Sequence, residues 1–254
     1  VTRPVKIWHE ADGRLLRLRL NRPKANLVDA TMIAELDQAL EHLGNGQLGA
    51  ALIDAEGPHF SFGASVEEHL PSRCAAMLAG LHRLVLRMVE SPVPLLVAVR
   101  GQCLGGGLEL ALAGHLMFVT PEANLSQPEM KLGVFAPAAS CLLPELVGPQ
   151  RAFDLLVSGR SITGVQAAAI GIAHEAVVDP ERAALAYFEE YLKPKSASSL
   201  RFAVKAARLD YVARVREKLR AVERLYLDEL MATADAVAGL EAFIAKRAPQ
   251  WQHR

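Results

Sequence analysis

The sequence predicts an α/β protein whose strand-and-helix core runs over residues 1–180 and is followed, over residues 181–254, by a helical region. Three observations predict it. Short, continuous apolar runs recur through the first half, at Ala50–Asp54, Leu95–Val99 and Leu116–Val119. Stretches with helical spacing lie between them. After Gln150 nearly every segment carries helix formers, and no low-complexity linker separates the two parts. A chain of 254 residues suits one such domain with a helical appendage, and buries a large core without disulfides or metals.

In chain order, Lys6–His9 and Leu15–Leu20 read as a hairpin turned at Asp12-Gly13. Leu16, Leu18 and Leu20 alternate with Arg17 and Arg19, which predicts one buried face and one wet face. Asn21-Arg22-Pro23 ends the strand. Asp29 is placed to cap a helix that carries Met32, Ile33, Leu36, Ala39 and Leu40, and Asn45-Gly46 breaks it. Pro71–Glu90 reads as a helix, with Met77, Leu81, Leu84, Val85 and Met88 on one face. Gly105–Gly107 lead into a helix bearing Leu108, Leu110, Ala111 and Leu112. Helices are then expected at Ala152–Val157, Gly164–Ala169, Glu181–Tyr191 and along Leu200–Arg247. Val215, Leu219, Val222, Tyr226 and Leu230 give that last run an apolar stripe, read as a buried helix face.

Composition excludes several classes. Lysine and arginine number 28, as do aspartate and glutamate, so bulk charge gives no sign of a nucleic-acid partner. Cys74, Cys103 and Cys141 are odd in number, widely spaced and in apolar contexts. They read as buried free thiols in a reducing compartment, the cytoplasm. No Cys/His cluster has metal-ligand spacing, so no metal is expected. Val1–His9 carries charge early without an apolar core, unlike a secretory signal. The most apolar stretch, Leu104–Val119, contains Glu109, His115 and three consecutive glycines, which is wrong for a lipid-facing helix.

Three segments stand out chemically. In Val97–Ala111, the three consecutive glycines Gly105–Gly107 leading into a helix leave backbone N–H groups sterically open. A phosphate loop is excluded, because Gly107 stands where lysine is required. The dinucleotide fingerprint fails at Leu110. An oxyanion hole or simple close packing remains. Glu109 is a carboxylate among apolar neighbours, so it is expected to be partly desolvated, with a raised pKa suited to acid–base work. In Asn124–Gly133, Glu129 follows Pro128 at a candidate helix start. A third segment, His59–His69, holds a Gly63-Ala64 pair after a buried strand, which reads as a turn or as a second backbone donor.

Read in order, Asn21–Asn26, Phe62-Gly63-Ala64, Gly101 with Leu104–Leu110, Gln127-Pro128-Glu129 with Leu132-Gly133, Ser158-Gly159-Arg160, and Asp235…Gly239…Ala242-Phe243…Lys246-Arg247…Pro249 resemble the crotonase (enoyl-CoA hydratase/isomerase) superfamily. The resemblance spans nearly the whole chain. It implies a superhelix of ββα turns followed by helices that build a homotrimer, or a homohexamer of two trimers. It implies an acyl-CoA thioester substrate with no separate cofactor, no nucleic acid and no membrane. Ala64 and Gly106 would donate the two N–H groups to the thioester oxygen. Glu109 and Glu129 would be the catalytic pair, which favours hydration over isomerisation. Lys24 and Ala25 lie where the family contacts the CoA nucleotide, and Phe243 and Lys246 where C-terminal residues approach CoA. Phe62, Ser65, Phe135 and Pro137 would enclose the acyl group.

Some positions depart from the family's pattern. Ser65 and Glu67 stand where an acidic and a basic residue are common, Ala136–Ser140 replaces a glycine-rich loop, and His115 replaces a frequent aspartate. Arg3–His9, Arg22–Asp29 and Gly57–Pro71 resemble more closely the members that hydrate cyclic dienoyl thioesters in anaerobic benzoyl-CoA breakdown. That implies 1,4-addition of water to the ring. The alternatives are a straight-chain enoyl-CoA hydratase, a dienoyl-CoA isomerase, or a non-catalytic CoA- or RNA-binding member of the same fold.

Overall fold

The structure is a computed structural model that describes residues 3–41, 43–44 and 46–254. Its main sheet has six strands. β1 (Val5–Glu10) and β2 (Leu15–Leu20) form the expected antiparallel hairpin. β3 (Ala50–Ala55), β4 (Leu95–Val99), β6 (Leu116–Val119) and β9 (Glu175–Ala176) then add in parallel, in the order β1-β2-β3-β4-β6-β9. A second layer of three short strands, β5 (Gln102–Leu104), β7 (Asn124–Ser126) and β8 (Ile162–Thr163), has the order β5-β7-β8. These two- and three-residue strands are too short to show a period in sequence, and the sequence reading did not find them.

β3 and β4 are buried along their whole length, as continuous apolar runs demand when helices cover both faces of a parallel sheet. Ala51, Ile53, Leu95, Val97 and Val99 face α1 (Ala30–Leu40) and α2 (Cys74–Val89) within one large cluster. Ala50, Leu52, Leu96 and Ala98 point the other way, onto Ala184 of α7 (Pro180–Tyr187) and Phe188 and Leu192 of the π-helical turn Phe188–Leu192. The alternation is the period of two that a pleated strand imposes.

The predicted wet face of β2 is a correction. Arg17 is 2% exposed. α7 covers that face, and the arginines are buried because carboxylates meet them. Arg17 lies 2.5 Å from Asp54 and 2.6 Å from Glu181, and Arg19 contacts the same two acids. Both guanidiniums stack on Trp8, 4.9 and 5.4 Å from the ring centre.

Helix boundaries follow local chemistry. Asp29 caps α1 by accepting from the Met32 N–H, as expected, and α1 ends at Leu40. Of the proposed Asn45-Gly46 breaker, Asn45 lies outside the described residues. The helix expected over Pro71–Glu90 begins only at Cys74. After α3 (Gly106–Leu112), α4 (Pro137–Val147), α5 (Pro149–Ser158) and α6 (Gly164–Ala169), the run expected from Leu200 to Arg247 is not one helix. α8 (Ala197–Arg224) passes into a π-helical turn at Leu225–Glu229 and a 3-10 turn at Leu230–Ala232. Thr233 then caps α9 (Ala234–Ile244) by accepting from the Ala236 N–H. Of the apolar stripe, Val215, Leu219 and Tyr226 are fully buried. Cys74, Cys103 and Cys141 are buried and unpaired. Among the described residues no helix is long and apolar enough to cross a membrane.

Candidate active site

The site forms where two loops from the C-terminal ends of parallel strands meet. The loop after β3 runs beside residues 100–104: Phe60 N–H donates to the Arg100 carbonyl, Ser61 N–H to Gln102, and Leu104 N–H to Ser61, at 2.9–3.0 Å. This brings Gly63 against the start of α3. Gly63 has φ +103°, and a Cβ there would stand 2.9 Å from the Leu104 carbonyl oxygen, so only glycine permits the approach. Ala64 consequently lies against Gly106, where an added Cβ would sit 3.1 Å from the Ala64 nitrogen. Among the described residues, neither the Ala64 N–H nor the Gly106 N–H donates to a backbone acceptor. Two adjacent, unpaired backbone donors are what an oxyanion requires.

Glu109 follows in the first turn of α3 and is 3% exposed. Its Oε1 accepts from the Ala139 N–H at 2.9 Å, so the carboxyl is held at the start of α4. Burial nevertheless pushes its pKa up, and the N–H groups of Ala139 and Ala138 only partly offset this. Glu129 reaches the same place from the 3-10 turn Pro128–Leu132. The residue is partly exposed to the cleft, but its carboxyl end is wedged against Gly105: a Cβ on Gly105 would stand 2.5 Å from Glu129 Oε1. Gln127 is buried, and its hydrogen-bonding environment turns its amide nitrogen toward three oxygens. It lies 3.2 and 3.1 Å from the two carboxyl oxygens of Glu129 and 3.3 Å from the Gly105 carbonyl. Burial raises the pKa of Glu129, and the charge of Glu109 raises it further. Two carboxyls that oppose each other's ionisation titrate as one pair, which retains a proton above the usual carboxylate range.

Glu109, Glu129, Ala64 and Gly106 share one cavity of about 770 Å³. Phe62, Ser65, Phe135, Pro137, Phe243 and Lys246 also line it. Lys24 and Ala25 do not; Ala25 sits beside the mouth, its carbonyl accepting from the Phe62 N–H at 2.9 Å, and Lys24 is exposed. Leu78, Leu81 and Val134 make much of the inner wall apolar. Behind it Tyr226 packs edge-on against Phe135 at 5.2 Å.

Sequence reasoning missed Gln127 and His69. Gln127 had a signal, a polar residue just before a candidate catalytic glutamate. His69 also lines the cavity; the Ser65–His69 spacing of four, on a turn of 3-10 helix, was its only mark. Among the described residues no cluster of His, Cys, Asp and Glu has a metal-binding arrangement.

Comparison with known proteins gives a consistent picture. Residues 10–254 match the family model described as enoyl-CoA hydratase/isomerase. A cyclohexa-1,5-dienecarbonyl-CoA hydratase of Thauera aromatica is 62% identical over 252 residues, covering 99% of this chain and 98% of that protein. A probable enoyl-CoA hydratase of Bacillus subtilis (strain 168) is 30% identical, covering 92% and 94%. Among solved structures, an enoyl-CoA hydratase from Mycobacterium avium subsp. paratuberculosis K-10 superposes with a TM-score of 0.85 at 20% identity over 98% of each chain, a likeness of fold.

Proposed function

The chain belongs to the enoyl-CoA hydratase/isomerase family, and on that premise we propose that it is a hydro-lyase that adds water to cyclohexa-1,5-diene-1-carbonyl-CoA to give 6-hydroxycyclohex-1-ene-1-carbonyl-CoA. One observation supports hydration above all: two buried carboxyls with raised pKa share a cavity with two unpaired backbone N–H groups. The cyclic substrate is supported by the relative that is 62% identical.

The thioester oxygen sits between the Ala64 and Gly106 N–H groups. As hydroxide adds to the ring carbon β to the thioester, electrons move onto that oxygen and across the remaining double bond, giving a dienolate. Loss of one such donor costs about 3 kcal/mol of transition-state stabilisation. Glu109 takes a proton from water, and Glu129 delivers one to the far carbon of the dienolate, leaving a single double bond in conjugation. The pair begins and ends with one proton between them, so no further acid is needed. Lys24, Ala25, Phe243 and Lys246 flank the route by which CoA enters, and CoA arrives as part of the substrate.

Purified protein given the cyclic dienoyl-CoA and crotonyl-CoA in parallel should turn over the ring substrate with the larger kcat/KM. Rapid turnover of crotonyl-CoA alone defeats the ring assignment and leaves a straight-chain hydratase. A non-catalytic binding role fails if either thioester is hydrated.

The working form in this reading is a cytoplasmic homotrimer or a dimer of trimers, with residues 181–254 forming the oligomerisation region. Exposed Phe202 and Leu209 on α8 support a covered face. Light scattering on the eluting protein should give three or six times the chain mass; a monomer at micromolar concentration refutes it.

A further inference from the structure

Glu129 is carried by a weak element. The 3-10 turn Pro128–Leu132 is five residues long, and among the described residues no side chain caps its start. Such a turn has poor hydrogen-bond geometry and holds itself badly. A reacting carboxyl nevertheless has to stand within about 0.5 Å of its working place. What packs around the turn therefore sets the position of Glu129. Gly159 bounds one side, where an added Cβ would stand 3.1 Å from the Gln127 carbonyl oxygen. α9 bounds the other. Gly239 approaches so closely that a Cβ there would stand 2.1 Å from the Leu132 carbonyl oxygen. A Cβ on Gly133 would stand 2.8 Å from the Asp235 carbonyl oxygen.

Trp251 covers this joint. Its ring edge lies 3.0 Å from the place a Cβ would take on Gly133, and 3.0 Å from that on Gly239, so one indole bears on both halves. The chain after it folds back on the first turn of α9. The Gln252 and His253 N–H groups donate to the two carboxylate oxygens of Asp235, at 2.6 and 2.7 Å, and the Ala234 N–H donates to the Arg254 carbonyl at 2.9 Å. Bonds to a carboxylate are among the stronger ones available to a backbone N–H. From Gly133 the contact passes directly to the acid. The Val134 N–H donates to the Glu129 carbonyl and the Gly133 N–H to that of Met130, both at 3.3 Å. Neither Trp251 nor Asp235 lines the cavity; Gly239, Phe243 and Pro249, which lie between them in sequence, do.

We propose that Trp251 is a positioning residue for Glu129: held by the clasp of residues 252–254 on the start of α9, its indole keeps α9 against the Pro128–Gly133 turn and so fixes where the Glu129 carboxyl stands. It acts through the backbone of the turn and touches no substrate. The inference rests on the hydratase reading above for what Glu129 does, and on packing alone for what holds it.

The test compares Trp251→Ala and Trp251→Phe with wild type by amide hydrogen exchange and by kinetics on the thioester that wild type hydrates, the cyclic dienoyl-CoA or crotonyl-CoA. In Trp251→Ala, amides 129–134 should exchange faster while β3 and β4 stay protected. Its kcat should fall by about 10- to 100-fold. The alkaline limb of its kcat profile should move to lower pH, because a loosened Glu129 is better hydrated and gives up the pair's proton more readily. Trp251→Phe keeps a ring over both glycines and should recover part of kcat and of the limb. In the Glu129→Gln background, Trp251→Ala should lower kcat little further. Unchanged exchange at 129–134 overturns the proposal. So does faster exchange there with wild-type kcat and pH profile, which reports a role in folding alone. If Trp251→Ala also opens β3 and β4, Asp235→Asn takes its place: it weakens the clasp, leaves the indole, and must show the same signs in smaller degree or the proposal fails. A wild type that hydrates neither thioester defeats the hydratase reading, while the exchange result still decides whether Trp251 holds the turn.

Discussion

Replacing Glu109 or Glu129 by Gln is expected to lower kcat by about 10²- to 10⁴-fold while acyl-CoA binding persists. Each substitution keeps shape and removes one ionisable group. In Glu109→Gln the new amide oxygen can still accept from the Ala139 N–H, the contact that fixes Glu109 at the start of α4. In Glu129→Gln the new side chain can still occupy the recess beside Gly105. Isothermal titration with a non-reacting acyl-CoA should give affinities within a few-fold of wild type. The double variant should be no worse than about tenfold below the weaker single one, because the two act as one proton-exchanging pair. Unchanged turnover in both single variants removes the two-carboxylate mechanism.

The same substitutions should stabilise the fold, with a pH dependence whose sign follows from the raised pKa values. The folded protein holds protons on Glu109 and Glu129 more tightly than the unfolded chain does. As pH rises from about 4, the ordinary glutamate range, unfolding releases protons that the native pair would retain. Stability is therefore lost through that window, and the full cost is present once pH exceeds the native pKa values. Gln carries no such cost. The melting temperature of either variant should match wild type near pH 4 and exceed it increasingly toward pH 8. A tenfold difference in proton affinity corresponds to about 1.4 kcal/mol, and in a chain of this size 1 kcal/mol is about 2–4 °C of Tm. Lower melting temperatures at pH 8 would mean that the carboxylates are held by partners stronger than those seen.

The part of this arrangement that sequence could disclose is the part written in periodicity and in motif order. Ala50–Asp54 and Leu95–Val99 showed buried strands because an unbroken apolar run fits nothing else so short. Glu109 was legible as a desolvated acid because all its neighbours are apolar. What stayed hidden depends on residues distant in the chain. Arg17 and Arg19 pointed to solvent until Glu181, 164 and 162 residues away, was seen to close over them. β5, β7 and β8 are too short for a period to register. The end of α8 was hidden because Leu225–Ala232 is rich in helix formers, whereas the π and 3-10 turns there place Tyr226, Leu227, Leu230 and Met231 in one cluster with Cys74 and Met77, a contact distant in the chain. His69 is a residue type with too many ordinary uses to be singled out before a cavity is in view.

Gly105→Ala should cost about 100-fold in kcat, because Gly105 is where the oxyanion loop and the acid meet. Its backbone, at φ +48° and ψ −128°, is one that side chains resist, and its Cβ would fall 2.5 Å from Glu129 Oε1. Strain of this kind costs on the order of 1–3 kcal/mol of stability. The collision adds a different penalty. A carboxyl can yield where a backbone cannot, so the chain folds and Glu129 moves. Leaving its recess, Glu129 also leaves Gln127, which holds it and the Gly105 carbonyl together. A displacement near 1 Å at a reacting group is enough for about 10²-fold in rate. Gly148→Ala separates the two effects: Gly148 has φ +79° but nothing within 4 Å of an added Cβ. It should lose comparable stability and keep wild-type kcat. In the Glu129→Gln background, Gly105→Ala should lower kcat little further, since the group it displaces no longer transfers a proton. A Gly105→Ala enzyme with wild-type kcat would show that Glu129 does its work without the recess, and the coupling between acid and oxyanion loop would have to be abandoned.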